Sequence, residues 1–154
     1  MEKKIIRTLN VYYYGMMLLA MLVATLMYLL LSKGFISIVE TNSELGQILQ
    51  YVVIFDALIT IPAGLYLCKR KCSKLALLTD EVDKLKGYKS AAKWRILMVS
   101  NTMVVGIAAF YIMNGYESML WITAISAIGW YFSKPSVDKL QAELEPQDTN
   151  QEQY

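Results

Sequence analysis

Residues 11–31, VYYYGMMLLAMLVATLMYLLL, run for 21 positions without a charge. A helix rises about 1.5 Å per residue and a bilayer core is about 30 Å thick, so about 20 apolar residues in helical form cross it. Lys3, Lys4 and Arg7 precede the run, as basic residues precede the apolar core of a secretory signal. Such a core is usually about 7–15 residues long, and no convincing small-x-small cleavage site follows this one. The expectation is therefore a retained transmembrane helix.

Working outward, a second uncharged-to-sparsely-charged run covers 48–68, entered through Thr41 and Glu44 at the spacing of a capping box. A third, 96–113, is closed by Asn114-Gly115, residues that tolerate the left-handed conformation that ends helices. The fourth, 118–132, is short. Glu117 before it and Lys134-Pro135 after it favour a span over a re-entrant segment, because a lysine can snorkel while tilt or local thinning absorbs the mismatch. The predicted fold is all-α: a polytopic membrane protein with a four-transmembrane-helix bundle over 1–134 and a cytoplasmic tail over 135–154. The 154 residues are 56% apolar and only 18% charged, which suits one bundle of this kind.

Charge is segregated along the chain, and that segregation sets the orientation. Lys3, Lys4 and Arg7 lie before the first span; Lys69, Arg70, Lys71, Lys74, Lys84, Lys86, Lys89, Lys93 and Arg95 lie between the second and third; Lys134 and Lys139 follow the fourth. Against these stands Lys33 alone. Basic residues are retained on the cytoplasmic side. An even number of spans puts both termini there, and the expected location is the inner (plasma) membrane. Tyr12, Tyr13, Tyr14, Tyr66, Trp94, Trp130 and Tyr131 would form the inner aromatic belt. Tyr28, Phe35, Tyr51, Tyr111, Tyr116 and Trp121 would form the outer one.

Between the second and third spans, Leu75, Leu78, Val82 and Leu85 recur at helical spacing. The reading is a cytoplasmic helical hairpin over 69–94 that extends the second span, turns at Gly87 and returns through Ser90 as a cap. Its apolar stripe needs a partner. One candidate is the C-terminal segment, where Val137, Leu140 and Leu144 repeat at helical spacing behind Pro135-Ser136; the others are a second subunit or another membrane protein. Beyond Pro146 the composition is polar and suggests disorder. The cluster Lys69, Arg70, Lys71 and Lys74 fixes topology and is placed to contact anionic lipid. It lacks the interleaved stacking residues of a nucleic-acid site.

Cys68 and Cys72 share a helix face, but with no histidine in the chain two thiols do not complete a tetrahedral metal site, so neither metal nor cofactor is expected. Asp56 is the one ionisable side chain well inside a span, where a charge is costly unless paired, protonated or hydrated. Thr60 follows one turn on, and depth counting places Thr25 and Ser126 nearest its level. Pro62 frees the Leu58 carbonyl. Asp56 either fixes helix register by hydrogen bonding or binds a proton or cation crossing the bundle. Asn101 reads as interhelical glue. No GxSxG, GxGxxG, P-loop or HExxH pattern occurs, so an enzyme is not expected. The leading expectation is a small accessory or scaffold protein of a membrane complex, with the lipid bilayer and a homo-oligomer or another membrane protein as partners. The alternative is a small proton- or cation-coupled transporter or channel working through Asp56 as an oligomer.

Overall fold

The first long apolar run lies within α1, which spans Glu2–Ser32 and ends in a Schellman-type closure. Gly34 adopts φ +71°, and the Phe35 N–H donates to the Leu30 carbonyl at 3.0 Å. This computed structural model describes residues 2–144, and every regular element among them is helical. The tail beyond Pro146, expected from composition to be disordered, lies outside the described residues.

The second helix, α2, covers Glu44–Ala76 and passes through Pro62 without interruption. Its cap is Ser43, whose Oγ accepts from the Gly46 N–H at 3.0 Å. The Thr41–Glu44 capping box is thus corrected by two residues. The third, α3, covers Glu81–Ile112 and is capped by Asp80, whose carboxylate accepts from the Val82 N–H at 2.9 Å. The chain therefore reverses at 77–80. Gly87 and Ser90, expected as turn and cap, lie inside α3. Asp80 followed by Glu81 and Asp83 supplies both the capping oxygen and the negative first turn that a helix N-terminus favours, and Gly87 offers neither. Gly87 instead provides room: a β-carbon there would collide with the Leu75 side chain, which lies over it.

α3 ends as expected at Asn114 and Gly115, both left-handed with φ +53° and +79°, and Gly115 donates to the Phe110 carbonyl at 2.8 Å. α4 covers Glu117–Phe132 and α5 covers Val137–Leu144. Ser136 Oγ accepts from the Lys139 N–H at 3.2 Å and starts α5.

α3 is the hub, packing on α1, α2 and α4, while α5 lies on α2 and touches α1. Small residues allow the close approaches. A β-carbon on Gly106 would stand 2.7 Å from Thr123 Oγ1 of α4, and one on Gly64 would stand 3.3 Å from Met98 Cβ of α3. Tyr13 of α1 stacks on Trp130 of α4 with ring centroids 3.9 Å apart. One core cluster, Val53, Ala109, Met113, Met119 and Ile122, lies toward the α3–α4 turn. The other joins Ile6, Leu9, Cys68, Cys72, Tyr88, Ala91, Ala92 and Leu140 beneath α5.

Three helices, α1, α2 and α3, are long and apolar enough to cross a membrane. Many of the large apolar side chains of α1 and α2, among them Leu18, Met21, Leu22, Tyr51, Phe55 and Ile59, point outward. An apolar exterior of this extent fits a membrane protein, since lipid covers what water would not. α4 has 16 residues, fewer than the roughly 20 that cross a bilayer untilted.

Candidate functional site

The densest polar chemistry lies where α2, α3 and α5 meet. Leu140 and Leu144 set the buried face of α5, and Glu143, one turn after Leu140, is carried to that face. There its Oε1 accepts from Arg95 NH1 of α3 at 2.8 Å. Arg95 is 4% exposed and Glu143 24%, so the pair is sheltered on one side and open on the other. Glu143 Oε2 lies 4.0 Å from Cys72 Sγ, and the two α2 thiols are 3.9 Å apart. Arg95 Nε and NH2 and the Tyr88 hydroxyl are buried without a hydrogen-bond partner among the described residues.

The electrostatics follow from that enclosure. The hydrogen bond shared with Cys68, followed by burial, pushes the Cys72 thiol above its ordinary range. Burial, followed by the field of Glu143, does the same to the Tyr88 hydroxyl. Burial, followed by the neighbouring Arg95, pulls the Lys139 ammonium below its usual value. A cleft of about 470 Å³ opens over the group, with Lys69, Cys72, Arg95, Lys139 and Glu143 in its walls. Cys68, Cys72 and Glu143 have ligating atoms that all lie within 4.8 Å of one another, close enough to share a metal ion.

The polar residues along α1 to α4 behave differently. Asp56 is half-buried on α2; its Oδ1 accepts from Thr60 Oγ1 at 3.0 Å, and its Oδ2 is enclosed without a partner among the described residues. Thr25 and Ser126 are not brought to it by hydrogen bonding. Thr25 Oγ1 donates to the Met21 carbonyl at 2.9 Å, and Ser126 Oγ donates to Ile122 at 2.8 Å, each within its own helix. Asn101 is exposed and faces outward on α3 instead of into the bundle.

The expected apolar stripe is divided by the position of the turn. Leu75 packs over Gly87, and Leu85 packs against the cluster that holds Leu140. Leu78 and Val82 stay exposed, joined by Leu77, which sequence spacing did not single out. Lys69, Arg70, Lys71 and Lys74 are all exposed along the last turns of α2.

Arg95 and Glu143 were missed as site residues because periodicity sees only one element at a time. The available signal was the i+3 relation of Glu143 to Leu140, which puts a carboxylate on the apolar face of a short helix. Comparison with known protein families, curated proteins and solved structures finds no match.

Proposed function

We propose that this chain is a non-enzymatic accessory or scaffold protein of a larger complex in a bacterial-type inner membrane. In this reading α4 is a fourth span beside α1, α2 and α3, and both termini and the α2–α3 connection are cytoplasmic. The bias of lysine and arginine toward three segments supports the orientation. Lys69, Arg70, Lys71 and Lys74 then stand at the inner leaflet, where each contributes about 1 kcal/mol of attraction to anionic headgroups.

The observation that carries the reading is the exposed apolar tip where α2 ends and α3 begins, which this orientation places in the cytoplasm. Leu77 is 82% exposed there, with Leu78 and Val82 beside it. The eight residues from 69 to the end of α2 lift this tip about 12 Å beyond the span ending at 68. Lipid covers the apolar flanks of α1 and α2, but it does not reach this tip, so a protein surface is its natural cover.

Photo-crosslinking from Leu78 or Val82 in cells should yield a discrete adduct with another membrane protein or a second copy, and Leu77→Glu should abolish it. Recovery of uncrosslinked monomer alone from every tip position would sink the scaffold reading. Topology is tested separately. With Cys68 and Cys72 replaced by serine, a cysteine at Ser37 should react with a membrane-impermeant maleimide in intact cells, and one at Thr79 only after permeabilisation.

One observation favours a second reading, a small proton- or cation-coupled transporter working as an oligomer: Asp56 Oδ2 is enclosed yet unpartnered among the described residues. Ion flux or substrate uptake by reconstituted protein should then fall in Asp56→Asn. Undiminished flux in that variant excludes it.

A further inference from the structure

We propose that Cys68, Cys72 and Glu143 form a three-ligand zinc site that clips the C-terminal helix α5 to α2. The inference is independent of the scaffold and transport readings and of membrane orientation, because it rests on side-chain geometry alone. Zinc bound by two thiolates and a carboxylate, with Zn–S about 2.3 Å and Zn–O about 2.0–2.2 Å, sets tetrahedral S–S and S–O separations of about 3.8 and 3.5 Å. The thiols are 3.9 Å apart, Cys72 Sγ to Glu143 Oε2 is 4.0 Å, and all three ligating atoms lie within 4.8 Å of one another, so side-chain rotation that draws Glu143 toward Cys68 brings them to a common ion.

The surroundings match as well. Two thiolates and one carboxylate leave a zinc complex with one net negative charge, and Arg95 supplies one positive charge beside it. The carboxylate divides its oxygens: Oε1 is held by Arg95 at 2.8 Å while Oε2 faces the cysteines. That is how an outer-shell donor orients a ligating carboxylate. Binding replaces the proton shared between the thiols and releases both thiol protons to solvent as two Zn–S bonds form. Cys72 and Glu143 also line the cleft that holds Lys69 and Lys139, through which water or a small anion would reach a bound ion to complete its coordination. Two sulfurs and one oxygen in tetrahedral array select zinc over the harder magnesium and calcium ions.

The probe is Co²⁺, followed by Zn²⁺, added to the full-length, reduced protein in detergent. One equivalent of cobalt should produce thiolate-to-cobalt charge-transfer absorption and intense visible d–d bands, and zinc should abolish both. Cys68→Ser and Cys72→Ser should lose the charge-transfer band. Glu143→Gln, which keeps an acceptor for Arg95, should bind cobalt more weakly by more than the roughly 10–100-fold that loss of an outer-shell partner costs. In unsubstituted protein, zinc should slow alkylation of both thiols and slow amide exchange across 137–144. No charge-transfer band with the unsubstituted protein overturns the site, as does alkylation at equal rates with and without zinc. Unchanged affinity in Glu143→Gln overturns the assignment of the third ligand and with it the clip.

Discussion

Polar groups beneath α5 and polar groups along α1 to α4 are satisfied in opposite ways. Beneath α5, Arg95 and Glu143, 48 residues apart, reach each other across two helices, and the α2 thiols join them. Along α1 to α4, Thr25, Thr102, Thr123 and Ser126 each donate to the carbonyl four residues back, and Asp56 accepts from Thr60 on the same helix. A buried hydroxyl can find an acceptor in its own helix whatever the neighbouring helices do, although Ser100 Oγ is enclosed without a partner among the described residues. A guanidinium cannot, so its burial requires a counter-charge delivered by the fold. The difference shows that α5, positioned by its apolar face, must also bring a partner for the charge it covers, whereas α1 to α4 pack without one.

The sharpest way to break the contrast is to remove half of the ion pair. Glu143→Leu leaves the Arg95 guanidinium, 4% exposed, without its counter-charge and should destabilise the protein by about 3 kcal/mol in denaturant titrations of detergent-solubilised protein. The double change Arg95→Met with Glu143→Leu should recover most of that loss, because an apolar pair of similar volume avoids the desolvation penalty. A double variant as unstable as the single one would show that the loss does not come from a stranded charge.

Next in size is Gly106→Ala. Its β-carbon meets Thr123 Oγ1, which is fixed by a 2.8 Å hydrogen bond to the Met119 carbonyl, so α3 and α4 must separate at a cost of about 1–3 kcal/mol. Gly87→Ala is the control, since the Leu75 side chain over Gly87 can swing aside, and its cost should be clearly smaller. Thr60→Val removes the one side-chain hydrogen bond to Asp56 among the described residues and should cost about 1 kcal/mol. Smallest is Ser126→Ala. Its hydroxyl bonds only within its own helix, and thermal stability should shift by no more than about 0.5 kcal/mol equivalent. A large loss at Ser126 would mean that the hydroxyls of α1 to α4 act between helices after all, and the contrast would fail.

Much of the helical architecture was legible because its signals are local. The uncharged run at 11–31 marks α1, Asn114-Gly115 stops α3, and Val137, Leu140 and Leu144 mark α5 and its buried face. The turn between α2 and α3 was misplaced for a local reason too. A glycine was given more weight than an aspartate followed by acidic residues, although the capping hydrogen bond and helix dipole favour the aspartate.

The candidate site was legible only in halves. Cys68 and Cys72 share a face by spacing alone, but nothing in one helix indicates that Glu143, 71 residues beyond Cys72, comes within reach.

The uncharged run that opens the sequence was sufficient by itself to determine a helical, membrane-compatible chain, because length and hydrophobicity are properties of contiguous residues. Tertiary structure alone decided which polar residues meet. α5 folds back onto α2 and α3, and only that return places a carboxylate beside two thiols and a buried arginine. The physical reason is that hydrophobic burial of Leu140 positions α5, and the charges that travel with it pair with whatever its landing surface presents.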